Sequence, residues 1–179
     1  MIALISLGLP YIVLFSHFVF VFLLLALIFR NSWSQSISRW FGKHAVALGF
    51  FVALAAVLGS LFYSEMAGFE PCVLCWWQRV FLYPSALILG IAFFKKDKTV
   101  FSYVAPLVII SALIAIYQYR STFLGGASFL SCTNEGGACS KVYVNAFGYI
   151  TIELMSLTAS LFILLFAWAK KIYDKNSNS

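Results

Sequence analysis

Long apolar runs alternate with short polar segments along the whole chain. Five of these runs approach or exceed the roughly 20 residues that an α-helix needs to cross a lipid bilayer. The pattern predicts an all-α integral membrane protein with transmembrane helices over about Pro10–Phe29, His44–Tyr63, Trp77–Phe94, Val100–Tyr119 and Ala146–Ala169.

The first apolar run is too long for the core of a signal peptide, and it lacks a basic start before it. We therefore expect a retained transmembrane helix, with its phenylalanines in contact with lipid and His17 as a structural or interfacial residue. The second run is rich in Ala, Gly and Val, and such small residues favour close helix contact inside a membrane. We expect this second helix to lie in the interior of the protein.

The basic residues are concentrated in alternate connectors, and this bias predicts the orientation in the membrane. The cytoplasmic set is Arg30, Arg39, Lys43, Lys95, Lys96, Lys98, Lys170, Lys171 and Lys175. Only Arg79, Arg120 and Lys141 are left on the other side. The predicted organisation is an extra helix with a basic cytoplasmic connector over residues 1–43, a four-helix domain over 44–171, and a polar cytoplasmic tail over 172–179, in which we expect Asn176–Ser179 to be disordered.

The composition agrees with this class, since 63% of the residues are hydrophobic and only 10% are charged. A soluble domain of 179 residues could not bury that much apolar surface in one core. The net charge of +6 follows from the connector lysines and arginines, so it does not indicate nucleic-acid binding.

Cys72 and Cys75 form a C-x-x-C motif directly before the third predicted span. At a helix N-terminus, unpaired backbone N–H groups and the helix dipole stabilise a thiolate, which is the reactive form of cysteine. Arg79 adds positive charge one turn further along. The pattern favours a redox-active pair; a static disulfide and a structural zinc site are the alternatives.

Cys132 and Cys139 form a second pair in a glycine-containing loop, Arg120–Asn145. The predicted topology puts this loop on the same extracytoplasmic side as the first pair, where disulfides persist. Thiol–disulfide exchange requires direct attack of one sulfur on another, so a mobile pair could shuttle between a partner and Cys72–Cys75. A disulfide that merely clamps the loop is the alternative.

The sequence contains no haem, flavin or iron–sulfur motif, so the electron acceptor has to come from elsewhere. A lipid-soluble quinone is the natural acceptor for a dithiol at the membrane surface. Arg79 could hydrogen-bond a quinone oxygen and stabilise the charge that develops there, with Trp76 beside it. Alternatively, Arg79 is an interfacial anchor that reaches to the lipid headgroups.

The stretch Pro71 to Arg79, Pro-Cys-Val-Leu-Cys-Trp-Trp-Gln-Arg, resembles the signature of the disulfide bond formation protein B family, DsbB, and especially its BdbC branch. Phe147 to Ile152 is similar to the last span of that branch. The resemblance implies a DsbB-like four-helix bundle over about residues 44–169 in a bacterial cytoplasmic membrane, with the first helix as an addition. It also implies quinone as cofactor and a DsbA-like thioredoxin-fold oxidase as partner.

The same resemblance implies roles for the cysteines. Cys132 would form the mixed disulfide with the partner, Cys139 would exchange with Cys72, and Cys75 would face the quinone beside Arg79. Gln118 stands where many members carry a histidine, so it is a candidate quinone-site residue. It can donate a hydrogen bond but cannot titrate.

Glu153 stands where proline is common in the family. A carboxyl group inside a membrane span is a functional candidate by default. Two other functions are compatible with the sequence: a structural or assembly protein with static loop disulfides, and a quinone reductase of the vitamin K epoxide reductase type. The motifs favour the thiol oxidase over both.

Overall fold

The structure is a computed structural model that describes residues 2–29, 32–124 and 143–177, and nearly all of these residues are helical. Its helices are α1 (Ile2–Ile28), α2 (Ser32–Leu61), α3 (Val73–Lys95), α4 (Phe101–Leu124) and α5 (Ile152–Ser177). In the described ranges, five helices are long and apolar enough to cross a membrane. This confirms the predicted all-α membrane fold and the predicted extra N-terminal span.

Helices α2 to α5 form a four-helix bundle in which each helix packs against its neighbours in the order α2, α3, α4, α5 and back to α2. Within the described residues, the bundle core is built from aliphatic and aromatic side chains that are almost completely buried. Leu89, Val104, Val108, Ile163 and Phe166 are typical members. The most extensive contact is between α2 and α5, so α2 is a full member of the bundle. Its span is nevertheless less buried than those of α3, α4 and α5, so the predicted interior position was wrong.

Two glycines allow close contact between helices in this bundle. A Cβ atom on Gly42 of α2 would come within 2.9 Å of the carbonyl oxygen of Ala169 on α5. A Cβ atom on Gly90 of α3 would come within 2.9 Å of the Phe50 ring on α2. Small residues at these positions bring α2 close to both of its neighbours, as is usual in membrane bundles.

Helix α1 lies outside the bundle, against α2 and α5, with far fewer contacts than the other helices make. Several of its phenylalanines face outward, including Phe15, Phe18 and Phe22. Phe20 instead packs edge-to-face on Phe162 of α5. The outward phenylalanines fit the predicted contact with lipid.

Several predicted helix boundaries were wrong. Helix α2 begins at Ser32 rather than His44, because the polar connector contains no residue that stops a helix. Helix α5 begins at Ile152 rather than Ala146, since Phe147 and Gly148 have φ values of 55° and 78° and form a turn. Its end lies at Ser177 rather than Ala169, so the helix includes the first two residues of the segment that was predicted to be disordered from Asn176.

The C-terminal extension of α5 has a local cause. Lys170 forms an ion pair with Asp174 one turn later, at 2.5 Å, and Lys170 also lies over the ring of Tyr173. Pairs of opposite charge at this spacing stabilise exposed helices. A polar sequence therefore continues the helix here instead of ending it.

Candidate active site

One end of the bundle gathers the residues with redox chemistry. The start of α3, the end of α4 and the start of α5 meet there, because consecutive helices run in opposite directions. We call it the cysteine end, after Cys72 and Cys75. The opposite end carries Lys95, Lys96 and Lys170 and is called the basic end.

Cys72 is the N-cap residue of α3, with an extended backbone at φ −71° and ψ 168°. Its sulfur accepts a hydrogen bond from the backbone N–H of Cys75 at 3.4 Å, and the two sulfurs lie 3.0 Å apart. The hydrogen bond between the two sulfurs and the burial of Cys72 raise the pKa of its thiol, and they outweigh the backbone N–H groups, which lower it. This shift disfavours the thiolate form of Cys72.

Gln118 links the dithiol to the other helices, and its side chain is only 2% exposed. Its amide nitrogen lies 3.4 Å from the sulfur of Cys72 and 3.4 Å from that of Cys75. The same nitrogen donates to Glu153 Oε1 at 3.1 Å, and Gln78 donates to its carbonyl oxygen at 2.7 Å. The dithiol therefore sits in a network of hydrogen bonds that joins α3, α4 and α5.

Arg79 of α3 is held in place by contacts with α2. Its Nε donates to Ser60 Oγ at 3.0 Å, and its terminal nitrogen donates to the Ser60 carbonyl oxygen at 3.2 Å. Tyr83 donates to the same hydroxyl at 3.2 Å. The Trp76 ring lies 5.2 Å from the guanidinium carbon, within the range of a cation–π contact. Arg79 is thus held against α2 by two hydrogen bonds to Ser60.

A cavity of about 500 Å³ opens beside this site, between α1, α2, α3 and α5. We call it the interhelical cavity. Most of its wall is aliphatic or aromatic. Its cysteine end is lined by Cys72, Cys75, Arg79, Gln118 and Glu153. The dithiol therefore faces an apolar space inside the bundle.

Two hydroxyl groups on the cavity wall are buried without a hydrogen-bond partner among the described residues, Tyr63 Oη and Ser156 Oγ. Tyr63 is 5% exposed, and its ring stacks on Phe69 at 5.7 Å. A buried hydroxyl without a partner is costly, and such exceptions call for an explanation. A ligand that accepts hydrogen bonds would satisfy both groups.

The wall also has open space beside Gly59 of α2. A Cβ atom built on this glycine would meet no other atom within 4 Å. Gly59 lines the cavity next to Ser60, which holds Arg79. The cavity therefore has unfilled space next to the residue that holds the guanidinium.

The structure brings together five of the residues that the sequence singled out, namely Cys72, Cys75, Arg79, Gln118 and Glu153. Trp76 is 56% exposed and covers Arg79 from outside the cavity lining. Cys132 and Cys139 lie outside the described residues. Within the described ranges, no group of three His, Cys, Asp or Glu side chains is arranged to hold a metal ion.

Sequence reasoning missed several residues of this site: Ser60, Tyr63, Gln78, Tyr83 and Ser156. Gln78 follows Cys75 by three residues, and a polar amide so close to the dithiol in an apolar run is a signal that could have identified it. Ser60 and Ser156 are polar positions within apolar spans, and that is a weak signal on its own. Ser60 joins the site through the packing of α2 against α3, and Ser156 joins it through the position of α5 at the cavity.

Comparisons with known proteins show which family the chain is similar to. The family model described as disulfide bond formation protein DsbB matches residues 42–170. Disulfide bond formation protein C from Bacillus subtilis is 47% identical over 115 residues, covering 64% of this chain and 83% of the relative. A probable disulfide formation protein from Coxiella burnetii is 34% identical over 131 residues, covering 73% and 89%. No solved structure matches significantly.

Proposed function

Because the chain belongs to the DsbB family of disulfide-forming membrane oxidoreductases, we propose that it couples thiol oxidation to quinone reduction. The protein spans a bacterial membrane several times, as its five apolar helices indicate. Its substrate on the thiol side is the reduced form of a DsbA-like thioredoxin-fold oxidase. Its substrate on the lipid side is a quinone.

The observation that carries this proposal is the position of the dithiol. Cys72 and Cys75 lie at the N-terminus of a membrane-spanning helix, and both line the interhelical cavity. A disulfide that only clamps a loop needs no apolar cavity and no amide donor between its sulfurs. A dithiol that delivers electrons to a lipid-soluble acceptor needs both.

In the proposed route, two electrons and two protons pass from the partner's thiols to the quinone through the two cysteine pairs. The two thiols of the partner lose two electrons and two protons as their disulfide forms, and the Cys132–Cys139 disulfide is reduced. Exchange between Cys139 and Cys72 then passes the two electrons to the first pair. When Cys72 and Cys75 form their disulfide, they release two electrons and two protons, which a bound quinone takes up to become a hydroquinone.

The residues around the dithiol suit this last step. Gln118 donates toward both sulfurs, and donors of that kind stabilise the negative charge of a thiolate. Arg79 offers a fixed positive charge at the cavity, positioned by Ser60. Fixed donors of this type act without reorganisation during the reaction.

The polarity of the cavity wall also suits a quinone ring, which is apolar apart from its carbonyl oxygens. Tyr63 and Ser156 present buried hydroxyls that lack partners within the described residues, and the carbonyl oxygens of a quinone accept hydrogen bonds. The rest of the wall is apolar, as expected for a small-molecule site with a few polar groups that fix orientation. We propose Arg79, Tyr63 and Ser156 as the groups that hold the ring, with Gln118 acting through the sulfurs.

The proposed orientation puts the cysteine end, together with Cys132 and Cys139, on the extracytoplasmic side. Its support is the charge distribution, since Lys95, Lys96 and Lys170 lie at the opposite end. Positive residues favour the cytoplasmic side of bacterial membrane proteins. This orientation gives a secreted partner access to the second cysteine pair.

The test is reconstitution of the purified protein in lipid vesicles with quinone and a reduced DsbA-like protein. Quinone absorbance should fall in step with the loss of partner thiols, with one quinone consumed for each disulfide formed. A matched control is Cys75→Ser, which keeps the fold and removes the dithiol. If the wild-type protein is folded but consumes no quinone, the proposal is wrong and the disulfides are static.

A further inference from the structure

We propose that α1 forms the outer wall of a channel for the isoprenoid tail of the quinone. The inference rests on the proposed function and concerns a helix that lies outside the region matched by the family model. The channel is the part of the interhelical cavity that extends away from the dithiol.

The length of the cavity is the first argument. Along α5 its lining runs from Ile152, near the dithiol, to Phe166, near the basic end. At a rise of roughly 1.5 Å per residue these two positions are about 21 Å apart. A quinone ring alone would fill only the cysteine end of such a space. The remainder fits an extended, flexible chain.

The wall that α1 contributes is the second argument. Its lining residues recur every three or four positions, so they form one stripe along the helix. They are Leu9, Ile12, Val13, Ser16, Val19 and Leu23. Five of the six are aliphatic. Without α1 the cavity would open directly into the lipid along this side.

The way α1 is attached is the third argument. His17 Nε2 lies 3.0 Å from Thr158 Oγ1 on α5. The Thr158 hydroxyl donates to the Leu154 carbonyl oxygen at 2.8 Å, so the contact with His17 is an N–H donated by the imidazole. Tyr11 also packs edge-to-face on Phe147 at the start of the turn before α5. These contacts fix α1 at the cysteine end while leaving space between α1 and α2.

A lipid acyl chain is the competing occupant of an apolar channel. Two features favour the quinone. The polar end of the channel lies beside Cys75, where Arg79, Gln118 and Glu153 also line it. A phospholipid carries a charged headgroup that stays at the membrane surface, whereas a quinone ring is neutral and accepts hydrogen bonds.

The experiment uses the full-length protein in vesicles and a quinone with a photoreactive group at the end of its isoprenoid tail. After illumination, mass spectrometry maps the labelled peptides. We expect label on α1 near Val19 and Leu23 and on α5 near Phe162 and Phe166. Label confined to the outward face of the bundle would overturn the proposal.

Substitutions provide the second readout. Ala159 is half-buried and lines the channel, so Ala159→Phe should obstruct it. The expected result is loss of the α1 label and an increase of about tenfold in KM for the long-tailed quinone, since apolar binding scales with buried hydrocarbon. KM for a quinone with the same ring and a methyl group in place of the tail should stay within about twofold, because ring contacts are unchanged.

Two further variants keep the test decisive. Val13→Phe obstructs the channel from the α1 side, where loose packing tolerates a larger residue. Leu161→Phe lies on α5, is 37% exposed and does not line the cavity, so it should change neither label nor KM. If channel variants alter both quinones equally, or neither, the channel assignment is wrong. If wild-type protein reduces neither quinone, the proposed function itself fails.

Discussion

Gln118 on α4 donates a hydrogen bond from its side-chain nitrogen to Glu153 Oε1 on α5, across 3.1 Å. This contact fixes the orientation of the Gln118 amide, because a carboxylate oxygen accepts and the amide nitrogen donates. Its carbonyl oxygen then faces the donor on Gln78, and its nitrogen faces Cys72 and Cys75. A glutamine thus orients both thiols without itself titrating.

Replacing Gln118 with leucine should slow the reaction of the dithiol and also destabilise the fold. The buried Gln78 amide would lose its acceptor, and an unpaired buried polar group costs roughly 1–3 kcal/mol. The donor to the two sulfurs would also be lost. The measurement is the rate of quinone reduction under single-turnover conditions, together with the free energy of unfolding in detergent.

Val108→Ala provides the control for this prediction. Val108 is completely buried in the bundle core, away from the site, so its truncation lowers stability without touching the sulfurs. We expect normal turnover in this variant at comparable loss of stability. Gln118→His should retain part of the activity, since a ring N–H can replace the amide donor. Equal rates in Gln118→Leu and Val108→Ala would contradict a role for Gln118 at the dithiol.

Tyr63→Phe should weaken quinone binding while leaving the protein equally stable or more stable. The Tyr63 hydroxyl is buried without a partner among the described residues, so its removal deletes an unsatisfied group and keeps the ring in place. A lost hydrogen bond to a ligand should raise KM for quinone about tenfold, corresponding to roughly 1–1.5 kcal/mol. Steady-state kinetics and thermal unfolding give the two readouts.

Tyr117→Phe is the matched control, because its hydroxyl is also buried and unpaired in the described part of the chain but does not line the cavity. It should show the same change in stability with no change in KM. If Tyr63→Phe and Tyr117→Phe behave alike in both measurements, Tyr63 does not contact the quinone.

The sequence was sufficient for the features that depend on local pattern. Apolar runs predict the spans because helix length and bilayer thickness are matched, and the motif at Cys72 and Cys75 directly precedes such a run. The helix ends were less well predicted, since a polar segment such as Ser32–Lys43 can continue a helix. Gln118 was also identified from the sequence. The reason was that it stands where many family members carry a histidine, and not the chemistry of the glutamine itself.

The remainder of the site depends on packing that no local pattern encodes. Ser60 is 19 residues from Arg79, and the contact between them exists only because α2 lies beside α3. Tyr63 and Ser156 look like ordinary positions in apolar spans until their neighbours are known. The contribution of α1 to the cavity wall likewise depends on where this additional helix packs. The spacing of residues along the chain does not determine that position.

Arg79→Lys should lower quinone reduction even though the positive charge is kept. Arginine makes two hydrogen bonds to Ser60 and stacks on Trp76, and lysine cannot reproduce this planar, two-point geometry. We expect kcat/KM for quinone to fall about tenfold, equivalent to roughly 1.4 kcal/mol of transition-state binding. Exchange of the cysteines with the partner should stay normal, as measured by disulfide transfer without quinone.

Arg79→Met separates the two roles considered for this arginine. If the charge acts on the quinone, Met should lower kcat/KM further than Lys does. An interfacial anchor would instead lower membrane insertion, which is measured by the amount of folded protein in the membrane. Reduced insertion with unchanged kcat/KM would contradict a role at the quinone.

The orientation in the membrane can be tested with a membrane-impermeant maleimide on intact, reduced cells. Cys132 and Cys139 should be labelled from outside, because the lysine-rich basic end is expected in the cytoplasm. A control places one cysteine at the basic end of a cysteine-free variant by Lys98→Cys, an exposed position. That cysteine should react only after the cells are opened, and the reverse pattern would invert the topology.

The final prediction concerns the order of exchange at the second cysteine pair. In Cys139→Ala, Cys132 would have no internal partner left to resolve its bond with the partner oxidase. A mixed disulfide should therefore accumulate, visible as a reducible adduct on gels and identified by mass. Cys132→Ala is the matched variant, and it should trap no adduct because it lacks the sulfur that meets the partner. Adducts at Cys139 instead would reverse the roles of these two cysteines, while an absence of adduct in both variants would exclude direct exchange through this loop.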